Sequence, residues 1–155
     1  MMKIGLLTFL ILLVFSSFKP GEPVGNLTCK SESGRTIFTA TLPSCAYLEK
    51  AELSIDDSKF QFTDKDGEAK VFFDPENKIF TVYIESTGND HKASKFIKFW
   101  AIPSTFKKTF TEKGEGSQFH DVYEFKGKLF ATDPRKDKDV NTPTINLNCT
   151  LVYDL

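Results

Sequence analysis

The chain has 155 residues, 20 basic against 21 acidic, and a net charge of −1. The two signs are interspersed, so there is neither a basic stripe for nucleic acid nor an acidic tail for a cationic partner. The length suits one domain that buries a core without dense disulfide cross-linking.

Met1, Met2 and Lys3 give a positive start, Ile4 to Phe15 is apolar except for Gly5 and Thr8, and Ser16 and Ser17 follow. This is the layout of a secretory signal peptide, residues 1–16, cut after Ser16. The apolar stretch is well short of the roughly twenty residues a spanning helix needs, so no membrane span is expected after cleavage. Cys29 is too distant for lipid attachment. Residues 17–25, with Pro20 and Pro23, read as an extended leader, and residues 26–155 as a single domain. The destination is secreted or periplasmic; a Lys-, Asp- and Phe-rich, Arg-poor composition suggests a bacterial source. Asn26-Leu27-Thr28 and Asn148-Cys149-Thr150 fit the glycosylation pattern, which has meaning only in a eukaryotic secretory route.

An exported chain keeps disulfides. Its three cysteines, Cys29, Cys45 and Cys149, allow one pair, and sequence alone does not separate the three choices. The expectation is Cys29–Cys45, close in sequence and near strand edges, with Cys149 a buried free thiol. Neither histidine is near a cysteine in sequence, so no nucleophilic thiol is expected.

From Leu27 onward the hydrophobic pattern has period two, the mark of half-buried strands. Leu27, Cys29 and Ser31 alternate with Thr28 and Lys30. After a Ser33-Gly34 turn, Phe38, Ala40 and Leu42 share a face until Pro43 stops the strand. Ala51, Leu53 and Ile55 form the next strand, Asp56-Asp57-Ser58 a turn, and Phe60 and Phe62 the return. Asp66-Gly67 reads as a hairpin turn using glycine at positive φ. Val71 to Phe73 leads to the turn Asp74-Pro75-Glu76-Asn77, after which Phe80, Val82 and Ile84 face inward and Thr81, Tyr83 and Glu85 outward. A polar loop covers residues 87–94, and Phe96 to Ile102 is an apolar strand broken by Lys98. In residues 104–110, Phe106 and Phe110 are spaced for a helical turn behind Ser104. A Gly-rich loop follows, then alternation over Tyr123, Phe125, Gly127, Leu129 and Ala131. A charged connection spans residues 132–143, and Ile145, Leu147, Cys149 and Leu151 mark a last strand whose expected neighbour is the first.

The fold class expected is all-β: a single antiparallel β-sandwich or small β-barrel of about eight or nine strands, with at most one short helix. Most of the 16 phenylalanines sit at alternating positions, as core filling does.

Few residues suggest chemistry. Residues 64–68 faintly match a calcium loop, but the glycine is misplaced, and a solvated hairpin turn is the better reading. His91 and His120 stand outside any ligand spacing, so no metal is expected, and no fingerprint implies a cofactor. Residues 96–110 are the best binding candidate, combining aromatics with cations: Trp100, Phe99, Lys98, Phe106 and Lys107. The bland reading, that Trp100 and its neighbours are the heart of the core, is favoured over this one. Residues 133–139 read first as a solvated connection, with a recognition loop as the alternative. The leading function is an exported, non-enzymatic binding domain for a protein or glycan, using end loops or an aromatic patch. The alternatives are a barrel carrier for a small apolar ligand and a small extracytoplasmic hydrolase.

Overall fold

The computed structural model describes residues 25–87, 94–113, 119–137 and 140–154. The expected signal peptide, its cut, most of the leader and His91 lie outside them. The strands are β1 (Gly25–Lys30), β2 (Thr36–Leu42), β3 (Lys50–Ile55), β4 (Ser58–Thr63), β5 (Gly67–Asp74), β6 (Ile79–Ser86), β7 (Lys95–Ala101), β8 (Lys107–Lys113), β9 (Phe119–Ala131) and β10 (Ile145–Asp154). They form one antiparallel sheet in the order β4-β3-β2-β1-β10-β9-β7-β6-β5, with β8 attached to β9, and the sheet curls into a nearly closed barrel.

Alternation decides which way each strand faces. In β1, Gly25, Leu27 and Cys29 are buried while Asn26, Thr28 and Lys30 are exposed; β2, β3 and β6 repeat the pattern. The last strand pairs with the first, as its apolar face demands. The register places Cys29 opposite Cys149, with Cα atoms 4.0 Å apart, and the two form the disulfide. This corrects the Cys29–Cys45 expectation. Cys45 lies past Pro43, off the end of β2, and is an exposed free thiol. Closeness in sequence was outweighed by shared position on the inner face of adjacent strands.

Two local readings also change. Residues 104–110 hold a single 3-10 turn, Pro103–Thr105, before the chain enters β8. The cause is the length of β9, 13 residues. One edge of β9 pairs with β10, but β7 covers only residues 127–131 of the other edge. Pairing with β8 satisfies the backbone groups of residues 119–124, and this outweighs a helical turn.

At Asp66-Gly67 there is a turn but no hairpin: β4 and β5 are the two ends of the sheet and do not pair. Gly67 has no positive φ; a Cβ there would collide with the Glu85 carbonyl oxygen and the backbone of Ser86 and Thr87. Asp66 shapes the turn by accepting from the Thr63 backbone N–H (2.6 Å) and hydroxyl (2.8 Å). The loop after β2 laces one end of this seam. Glu49 N–H donates to Thr41 O, Asp64 N–H to Glu49 O, and Phe73 N–H to Cys45 O, while Leu48 is buried beneath.

Aromatic rings fill the interior. Phe99 packs on Phe38 (5.4 Å between centroids), Phe80 (5.7 Å) and Phe125 (6.3 Å), and Phe106 stacks on Phe125 at 4.7 Å. Gly127 makes room for this, since a Cβ there would run into the Phe99 ring.

The chain's two arginines meet at the connection after β9. Arg135 donates to both carboxylate oxygens of buried Asp133 (2.9 and 2.7 Å) and to Asp56 at 3.1 Å, while Arg35 holds the other Asp56 oxygen at 2.6 Å. The first half of the charged connection is therefore pinned to the β3–β4 turn. The Arg135 side chain holds the Asp133 carboxyl below its usual range, and Arg35 and then Arg135 do the same for Asp56. A carboxylate with a depressed folded pKa adds stability above its unfolded pKa, and that stability is lost as pH falls through the folded value. Stability should hold above about pH 4 and decline below it. Arg135→Gln should flatten that decline; equal acid unfolding profiles for the two proteins would show that the clamp contributes nothing.

Candidate binding face

The outside of the barrel has two unlike halves. On β1–β4 and β10 most outward residues are polar, among them Asn26, Thr28, Thr39, Thr41, Glu52, Gln61, Asn146 and Thr150, with half-buried Ile37 and Val152 as apolar exceptions. A groove of about 430 Å³ runs over part of this half, but Glu52 in it already accepts from Gln61 (2.7 Å) and pairs with Lys59 (3.0 Å). Both glycosylation-type asparagines, Asn26 and Asn148, are exposed.

On β5, β6, β7 and β9 the outward positions carry aromatics and lysines. Register sets them in rows. Lys70 lies opposite Tyr83, Tyr83 opposite Lys98, and Lys98 opposite Phe130. In the next row Phe72 faces Thr81, Thr81 faces Trp100, and Trp100 faces Lys128. Phe72 is 55% exposed and Tyr83 38%. The Lys98 ammonium sits 5.6 Å from the Trp100 ring centre, and Phe96 and Phe130 touch at 5.5 Å beside it. A shallow, mostly apolar depression of about 310 Å³ lies over Lys70, Phe72, Tyr83, Lys98 and Trp100.

Of the five residues singled out by sequence, Trp100 and Lys98 belong to this face. Phe99 and Phe106 do not: they are 1% and 4% exposed, deep among the core rings. Parity along β7 separates Phe99 from its neighbours. Lys107 is exposed on β8, 3.9 Å from Glu124, over a separate depression with Asn148 and Thr150. Phe96, the first residue of the stretch singled out, also lies here; sequence reasoning missed Phe72, Phe130, Lys70 and Lys128. Phe72 and Phe130 were recognisable, because each adjoins an inward residue, Phe73 and Leu129, and must point the other way.

A second cluster lies where the ends of β5 and β10 meet the loop after β2. Asp121, 5% exposed, pairs with Lys108 at 2.7 Å and accepts from Thr111 (2.8 Å) and Tyr123 (3.3 Å). Burial pushes its carboxyl up, but Lys108 and Thr111 outweigh that, and the net direction is down. The Cys45 sulfur is 3.3 Å from the Tyr153 hydroxyl. Burial raises Tyr153 and Tyr123 to about 12, so both stay protonated and neither can take the thiol proton at neutral pH. His120 is half-buried on β9 beside Asp121.

Among the described residues no group of three or more His, Cys, Asp or Glu is placed to hold a metal ion, and no helix is long and apolar enough to cross a membrane. Comparison with family models, with characterised proteins and with solved structures found no match.

Proposed function

We propose that the chain is an exported, non-enzymatic binding domain that holds a glycan or protein partner on the outer face of β5, β6, β7 and β9. The observation behind this is the asymmetry of the barrel exterior. Outward Phe72, Tyr83, Phe96, Trp100 and Phe130 gather on one half, while mostly polar side chains cover the other; the exposed Tyr47, Phe110 and Phe119 lie apart, on the loop after β2, on β8 and at the start of β9. Large rings on a water-facing sheet gain nothing by exposure, and contiguous apolar patches mark interaction surfaces. Export is supported by the leading charged-then-apolar segment and by the Cys29–Cys149 disulfide.

The carrier reading is less favoured. The depressions, about 290 to 430 Å³, open on the outside, and a ligand within would have to displace Phe38, Phe99 and Phe125 from one another. Among the described residues the hydrolase reading finds no activated nucleophile to support it.

The test compares the mature protein with the triple variant Phe72→Ser, Tyr83→Ser, Trp100→Ser on immobilised glycans and extracytoplasmic proteins. Retention should fall by more than about tenfold, the size of a hot-spot loss, with the circular dichroism unchanged. Equal retention by a folded triple variant removes this face as the binding surface.

A further inference from the structure

We infer that the partner taken by this face is an acidic polysaccharide, a chain of sugar rings bearing carboxylate or sulfate groups. This deepens the binding-face reading and rests on it. The aromatic positions are interleaved with cations: Lys70 and Lys98 flank Tyr83 in one row, and Lys128 follows Trp100 in the next. None of these three ammonium groups forms an ion pair with a described carboxylate, although Lys59, Lys107 and Lys108 do so elsewhere. Lys98 is the central cation, set over the Trp100 ring. The acids of the face stay at its margins: Glu68 lies opposite Glu85 at one, where the Tyr83 hydroxyl donates to Glu85 at 3.2 Å, and at the other Asp74 accepts from the Asn77 backbone N–H (3.1 Å) and side-chain amide (2.7 Å). The centre is therefore basic and the acids lie at the borders.

Geometry favours an extended chain. Lys70 and Lys98 sit two strands apart, as do Phe72 and Trp100, a distance of about 10 Å at the usual strand spacing. The surface is a shallow lattice in which rings and ammonium groups alternate, with no deep hole for a protein's anchoring side chain. A polysaccharide presents the matching alternation: the apolar faces of its rings stack on aromatics, and its anionic substituents meet the lysines. Each partner supplies what the other lacks, which is how charged groups set specificity.

Calorimetric titration of the mature protein with polygalacturonate, dextran sulfate, uncharged dextran and oligothymidylate tests this. The two acidic polysaccharides should bind, less tightly as salt rises, and dextran and oligothymidylate should not. The variant Lys70→Gln, Lys98→Gln, Lys128→Gln should bind the acidic polymers at least tenfold more weakly with an unchanged melting temperature, and Trp100→Ala should weaken them too. Equal binding of dextran, or of oligothymidylate, overturns the inference but leaves the face as a binding surface. So does a partner that proves to be a protein, with no polysaccharide bound. Acidic binding indifferent to Trp100→Ala would be general charge attraction, and would overturn both the inference and the face.

Discussion

Reducing the disulfide, or replacing one cysteine by Cys149→Ala, should lower the stability of the mature protein by about 2–5 kcal/mol. The bond spans a separation of 120 residues, almost the whole domain, and ties the first strand to the last at the middle of the sheet. Without it, the unfolded chain regains the freedom of a very long loop, and the β1–β10 pairing must hold the barrel closed by itself. Urea unfolding with and without reductant measures the loss. Cys45→Ala should change little, because Cys45 is exposed, forms no disulfide and gives up only its contact with the Tyr153 hydroxyl. Alkylation of the folded, unreduced protein should label one thiol, and peptide mapping should find it at Cys45. A label on Cys149, or a greater loss from Cys45→Ala than from Cys149→Ala, would contradict the pairing.

This bond shows how far the sequence could be read. The alternation of Leu27 with Cys29, and of Leu147 with Cys149 and Leu151, put both cysteines on inner faces, and the apolar terminal strand called for β1 as its neighbour. Together these contain the pairing. What hid it was register, because period two says which way a side chain points but not which residue stands opposite. Strand existence and direction were legible because one face had to be dry.

The misreadings fall where a distant segment decides. Residues 107–113 are a strand because β9 runs past β7 and leaves an edge to cover, which no local pattern announces. Gly67 is needed for the close approach of Glu85, a residue from the next strand. The candidate face was half legible. Trp100 and Lys98 stood out as an aromatic beside a cation, but Phe99 and Phe106 entered on composition alone. Meanwhile Phe72 and Phe130 were counted with the core because most phenylalanines in an alternating chain do belong there. Their common half of the barrel follows only from strand order.

Two adjacent residues on β7 should give opposite results. Phe99→Ala removes a ring that meets Phe38, Phe80 and Phe125 and around which Gly127 keeps space, so it leaves a cavity with little freedom to collapse. It should cost about 3–5 kcal/mol of stability, without touching the outer face. Trp100→Ala removes a half-buried outward ring and its Lys98 contact, and should cost no more than about 1 kcal/mol. Its effect should fall on binding instead. Urea midpoints and partner affinity, measured on both variants, separate the two roles. The reverse outcome, a stable Phe99→Ala protein with lost binding and an unfolded Trp100→Ala protein, would mean that β7 faces the other way. The whole lattice of aromatics and lysines would then be inside the barrel, and the polar side chains would have no face to explain them.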